Sequence, residues 1–131
     1  MRKRKTHELL TEVELEFMTL LWELGDASVR DVLSKMDEDR NLAYTSAATI
    51  LRILEQKGFV SSKKDGKSLI YSAILSKNEY QSRLLKDVSA KLFDNTPAAL
   101  VATLVNDDHL TQDALEELRV LLGRKLGDDS G

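Results

Sequence analysis

The chain has 131 residues, 42% hydrophobic and 31% charged, with no cysteine and a formal net charge of −3. Without cysteine, disulfides and thiolate metal centres are excluded, and His7 and His109 stand too far apart to form a local metal motif. No apolar run approaches the roughly 20 residues that a membrane-spanning helix needs. The opening "MRKRKTHELLTE" has a basic cluster with no apolar stretch behind it, unlike a secretory leader, so a cytoplasmic location and no membrane partner are expected. Length alone fits one domain, or one small domain with an appendage.

The first helix is marked by Thr11-x-x-Glu14, a capping box, with Leu10 placed to staple onto Leu15. Leu15, Met18, Leu21 and Trp22 follow at helical spacing, and Gly25 ends the run. A second helix is predicted from Ser28, with Asp31 three residues on and Val29, Val32, Leu33 and Met36 as its apolar stripe. "DEDRN" is a polar turn before a third helix.

From Leu42 to Ile74 the pattern becomes more specific. Ala47, Ile50, Leu51 and Leu54 recur at the spacing of one buried helix face. Thr45, Ser46, Thr49 and Arg52 occupy the other face, and Gly58 stands where a left-handed stop is wanted. Asp65-Gly66 then separates two strand-like runs, a strong signal for a tight hairpin. Its tip carries Lys63, Lys64 and Lys67.

A further capping box, Ser76-x-x-Glu79, opens a helix bearing Tyr80, Leu84, Leu85, Val88 and Leu92. Thr96-Pro97 reads as a cap followed by Pro at the first helical position, before the short apolar run from Ala98 to Val105. Leu110-Thr111 opens the last helix, striped by Leu115, Leu118, Leu121 and Leu122, and the tail "GDDSG" is expected to be disordered.

The fold class predicted is therefore mainly α with a small β-hairpin. Residues 1–75 form a winged helix-turn-helix domain, and residues 76–131 form a helical dimerisation region. The 55 residues 77–131 are too few to supply a core of their own. A partner copy is the expected cover, because operator-reading domains usually act in symmetric pairs. Tyr80, Leu84, Val88, Leu100, Leu104, Leu118 and Leu121 are the expected dimer contacts.

A helix with small polar residues outward, followed by a basic hairpin, suits a DNA groove and its flanking phosphates. The charge distribution permits this despite the negative sum. Residues 1–75 hold 12 basic against 12 acidic side chains, and residues 76–131 hold 7 against 10. Affinity for double-stranded DNA must then come from local patches: Arg2, Lys3, Arg4 and Lys5 as an arm, and the hairpin lysines. Tyr44, Thr45, Ser46, Thr49, Arg52, Lys63, Lys64 and Lys67 are the candidate DNA contacts. Thr45 or Ser46 could equally cap the helix, Tyr44 could lid the core, and the lysines could be a solvated turn. Glu116-Glu117 and Asp107-Asp108 read as solvated faces, since no nucleophile or base converges on them. With no glycine-rich phosphate loop, Ser/His/Asp set or metal cluster, no enzyme, cofactor or metal is expected. The competing readings are a winged-helix module that binds protein and a repressor that senses a ligand.

The stretches "LTEVELEFMTLLWELGDASVRDVLSKM", "LAYTSAATILRILEQKGFV", "DGKSLIYSAILSKNEY", "PAALVATLV" and "LTQDALEELRVLL" resemble, in order and from about Leu10 to Leu122, the penicillinase-repressor (BlaI/MecI) family. The resemblance implies a homodimeric winged-helix repressor on a palindromic operator, regulating a resistance or stress gene. It also implies release through cleavage by a sensor-activated protease. Two departures are visible. The cysteine-rich metal motif of copper-responsive relatives has no counterpart here, and Thr103-Leu104 stands where the penicillinase repressors carry the Asn–Phe pair proposed as the cut.

Overall fold

In the computed structural model, which describes residues 9–130 and their side chains to residue 127, the chain forms two compact units that meet between Leu85 and Lys86. The basic arm Arg2 to Lys5 lies outside the described residues.

The first unit contains α1 (Glu12–Leu24), α2 (Val29–Lys35), a 3-10 turn at Glu38–Arg40, α3 (Tyr44–Lys57), β1 (Val60–Asp65), β2 (Ser68–Ala73) and the opening half of α4 (Lys77–Leu92). Three of its helix starts are set by reciprocal side-chain caps: Thr11 with Glu14, Ser28 with Asp31, and Ser76 with Glu79. Each pair satisfies backbone N–H groups that a first helical turn leaves without partners. Gly58 closes α3 at φ 91°, a left-handed position that costs glycine little.

The core gathers Phe17, Met18 and Leu21 of α1, Val32 of α2, and Ala47, Leu51 and Leu54 of α3 beneath Phe59, Val60 and Tyr71. Ala27 adds a single antiparallel bridge to Tyr71, with backbone N···O distances of 3.0 and 2.8 Å. That bridge ties the α1–α2 connection to the hairpin. Trp22 sits at the core's edge and donates its indole N–H to the Leu75 carbonyl at 2.9 Å.

α1 buries Met18 and Leu21 as their spacing suggests, but not Leu15. Leu15 is 41% exposed, while Glu14 and Phe17 point inward. The inward carboxylate is held by the Thr11 N–H at 3.0 Å and by Lys57 Nζ at 2.8 and 3.0 Å. Burial pushes the Glu14 carboxyl up, but the Lys57 ammonium and the Thr11 groups outweigh it and hold the pKa below its ordinary 4.5. A depressed carboxylate stabilises the fold above the ordinary value, and that contribution fades as pH falls through the folded value. Glu14→Gln is expected to cost about 2 kcal/mol at pH 7, because Lys57 keeps a partly buried charge without its partner. Urea unfolding at pH 7 and pH 3 checks this: the difference from wild type should shrink at the lower pH.

Tyr80 corrects the expected dimer face. It is 5% exposed and lies inside the first unit. Its ring stands 5.9 Å from Phe59 and 6.2 Å from Trp22, centroid to centroid, and its hydroxyl accepts the Leu10 N–H at 3.0 Å. Leu84 is half-buried against the same core. The apolar stripe on α4 thus has two destinations, and its first half covers the winged domain.

The second unit holds the rest of α4, then α5 (Pro97–Asn106) and α6 (Gln112–Ser130). Asp94, Asn95 and Asp108 take left-handed φ in the two turns, a conformation Asp and Asn tolerate better than most residues. Pro97 opens α5 as expected, but Thr96 does not cap it; its hydroxyl donates to the Asp94 carbonyl at 3.3 Å. Thr111 does cap α6, accepting the Ala114 N–H at 3.1 Å. The expected disordered tail is corrected as well, since α6 continues through Gly127 to Ser130.

Candidate nucleic-acid interface

α3 begins after Ala43, whose side chain offers no cap. Thr45 and Ser46 therefore lie inside the first turn, exposed and not employed as N-caps. Thr45, Thr49 and Arg52 follow the i, i+4, i+7 spacing and make one line along the solvent face, opposite Ala47, Leu51 and Leu54. Ser46 and Ile53, seven residues apart, flank that line on one side. Tyr44 and Ala48 flank it on the other, toward the hairpin.

The Thr49 hydroxyl donates to the Thr45 carbonyl at 2.9 Å. With its hydrogen engaged, the side chain presents a methyl group and an oxygen able only to accept. That combination suits a thymine methyl or a base amino group in a major groove. Tyr44 is 50% exposed and does not lid the core. The Arg30 guanidinium of α2 lies 5.5 Å from the centre of its ring, a cation–π distance that holds both side chains in place.

The hairpin turns at Gly66-Lys67, with Asp65 paired to Ser68 as the last rung. Gly66 alone has positive φ, 65°, as the first position of a type II′ turn requires. The turn is thus one residue later than Asp65-Gly66 suggested. Register also separates the lysines. Lys64 shares a face with Ser62 and with their partners Leu69 and Tyr71, while Lys63 points the other way with Ile70. The Ser62 face looks toward α3, because the Ser62 hydroxyl donates to Glu55 at 2.8 Å. Lys64 and the turn residue Lys67 therefore accompany α3, and Lys63 does not.

In the second unit, α5 has no buried residue. Leu104 is 40% and Leu121 is 56% exposed, while Val88, Leu100 and Leu118 are half-buried. Leu92, Val101, Leu122 and Leu126 add further exposed apolar surface. Thr103 and Leu104 lie within α5, and the Thr103 hydroxyl donates to the Ala99 carbonyl at 3.0 Å. Among the described residues no group of three His, Asp or Glu side chains is placed to hold a metal. No helix there is long and apolar enough to cross a membrane.

Sequence reasoning missed Arg30, since its partner Tyr44 is a neighbour only once α2 and α3 pack.

Residues 10–124 match the profile of the penicillinase repressor family. The methicillin resistance regulatory protein MecI of Staphylococcus aureus is 28% identical over 121 residues, covering 92% of this chain and 98% of that protein. The penicillinase repressor of Bacillus licheniformis is 20% identical over 113 residues, covering 86% of this chain and 88% of its own. Among solved structures, the DNA-binding domain of the repressor BlaI is similar in fold. Its TM-score is 0.52 at 20% identity, over 60% of this chain and 94% of that domain.

Proposed function

The chain belongs to the penicillinase repressor family, and on that premise we propose that it is a DNA-binding transcriptional repressor acting as a cytoplasmic homodimer on a palindromic operator of a resistance or stress gene. The observation that carries the reading is the outward line Thr45–Thr49–Arg52 beside Lys64 and Lys67 on the α3-facing side of the wing. α3 enters the major groove, where Thr49 reads base edges with Thr45 and Ser46 beside it. Arg52, Lys64 and Lys67 hold flanking phosphates, and Tyr44 braces the entry of the helix. Family membership and the fold shared with the BlaI domain favour this over a winged module that binds protein.

Dimerisation follows from what α5 and α6 leave uncovered. Leu104 and Leu121 are exposed, with Val88, Leu100 and Leu118 half-buried beside them, and a second copy would bury these side chains. Two reading heads in one particle gain from effective concentration, so losing the dimer is the simplest route off DNA. A cut in α5, at Thr103-Leu104 or nearby, by a sensor-activated protease would separate α6 from α4. No α5 side chain is buried, so local opening for a protease costs little.

Equilibrium binding of the operator and of random DNA tests the assignment of roles. Lys64→Ala with Lys67→Ala should weaken both by similar factors and flatten the salt dependence, because phosphates carry no sequence. Lys63→Ala should do markedly less. Thr49→Ala should reduce discrimination between the two DNAs by roughly tenfold, within the 1–3 kcal/mol of a base contact. Equal losses on both DNAs would move Thr49 to the backbone-contacting group.

A further inference from the structure

An open groove of about 420 Å3 runs along α1 and the end of α2, on residues that take no part in the DNA-facing line. Most of its surface is apolar, from Leu15, Leu20 and Met36, and Leu15 is 41% exposed. Its edges are acidic. Glu12, Glu16 and Asp37 line it against the single cation Lys35, and the 3-10 turn after Asp37 adds exposed Glu38 and Asp39. Arg40 of that turn is already paired with Glu16, at 3.1 Å. Among the described residues Glu12 and Asp37 enter no ion pair.

Around the groove five carboxylates thus stand against two cations. A surface of that sign repels DNA phosphate and favours a cationic occupant. An apolar strip bordered by carboxylates suits Lys and Arg in particular. Their aliphatic stems cover apolar side chains while the charged heads reach the rim.

The chain carries such a segment beside the groove. Arg2, Lys3, Arg4 and Lys5 are four consecutive cations. They join α1 through Leu10, which is held by burial and by its N–H bond to the Tyr80 hydroxyl. Lys5 stands five residues before Leu10, up to about 17 Å of extended chain. Glu12 to Thr19 is about 10 Å of helix, so the arm is long enough to lie along the groove. Tethering supplies an effective concentration on the order of millimolar, which lets individually weak exposed ion pairs act together.

We propose that this groove is the docking site of the chain's own basic arm. Arg2 to Lys5 lie over Leu15, Leu20 and Met36 and pair with Glu12, Asp37 and the carboxylates of the turn. The consequence rests on the DNA reading above: cations held in the groove are withheld from phosphate, so the docked arm weakens nonspecific DNA binding.

Because the chain has no cysteine, Thr6→Cys in the full-length protein accepts a single nitroxide label, and NMR line broadening reports where it goes. The amides of Thr19, Leu20 and Met36 should broaden strongly. Glu12→Gln with Asp37→Asn should reduce that broadening severalfold. Both side chains are exposed and Asp37 makes no capping hydrogen bond, so the fold should be kept, which thermal unfolding checks. On random DNA the same pair should bind roughly threefold to tenfold more tightly, as the freed arm adds phosphate contacts. Loss of two negative charges strengthens DNA binding by itself, so the pair is repeated with Arg2→Ser, Lys3→Ser, Arg4→Ser and Lys5→Ser. There the gain should vanish, a coupling that a change of net charge does not produce.

Groove amides no broader than in the Glu12→Gln, Asp37→Asn protein would overturn the proposal and leave the surface to a basic segment of another protein. Isotope-labelled chains mixed with spin-labelled ones report contact between copies. Equal broadening there would assign the groove to a second copy's arm and overturn docking within the chain. An equal gain on random DNA with and without the arm would overturn the effect on DNA. A wild-type chain that binds no DNA speaks against the DNA reading instead, and the NMR result is read independently of it.

Discussion

Replacing Leu104 and Leu121 together with Asp is expected to yield monomers with an intact winged domain. Both side chains are exposed in the single chain, at 40% and 56%, so a charge there costs the isolated protomer little. In a dimer that buries this surface, each carboxylate loses water and finds no cation. A penalty of about 3 kcal/mol per site raises the dimer dissociation constant by on the order of a hundredfold each. Operator affinity should then fall by a factor of roughly 10² to 10⁴, the gain that linked half-site binding supplies. Sedimentation at micromolar concentration and operator binding check the two halves. A variant that stays dimeric would place the interface elsewhere.

Tyr80→Ala should behave in the opposite way, losing stability and keeping assembly. The ring fills the space between Phe59 and Trp22, and its hydroxyl is the partner of the Leu10 N–H. Truncation leaves both a cavity and a buried donor without an acceptor, a cost of about 4 kcal/mol. In a domain of this size that lowers the melting temperature by more than about 10 °C. Tyr80→Phe keeps the ring and loses the acceptor, and should cost about 1–3 kcal/mol. Thermal unfolding measures both, and sedimentation below the transition should still find dimers. Monomers with an unchanged melting temperature would restore Tyr80 to the partner-facing surface.

What could be read from the chain was local. Thr11 with Glu14, Ser28 with Asp31, and Ser76 with Glu79 act across three residues, so sequence spacing alone identifies them. Gly58 and the approximate place of the hairpin were legible for the same reason. The misplaced features depend on packing. Periodicity reveals that a face of α4 is apolar, but not that Tyr80 meets Phe59 while later residues on the same helix are free of that core. An inward Glu14 breaks the apolar pattern of α1, and the ion pair that makes it tolerable spans 43 residues to Lys57. Lys63 and Lys64 look equivalent until strand register assigns them to opposite faces. Arg30 becomes visible as the partner of Tyr44 only when α2 and α3 come together.

The central claim is that α3 and the wing, presented twice by a dimer, recognise one DNA site. Footprinting of the purified full-length chain on the region upstream of its own gene tests it most directly, repeated over a range of salt concentrations. One protected inverted repeat of roughly 20–30 base pairs is expected, with half-sites about a helical turn or slightly more apart, and affinity that falls steeply with salt. Protection of no inverted repeat, or binding indifferent to salt, would contradict it.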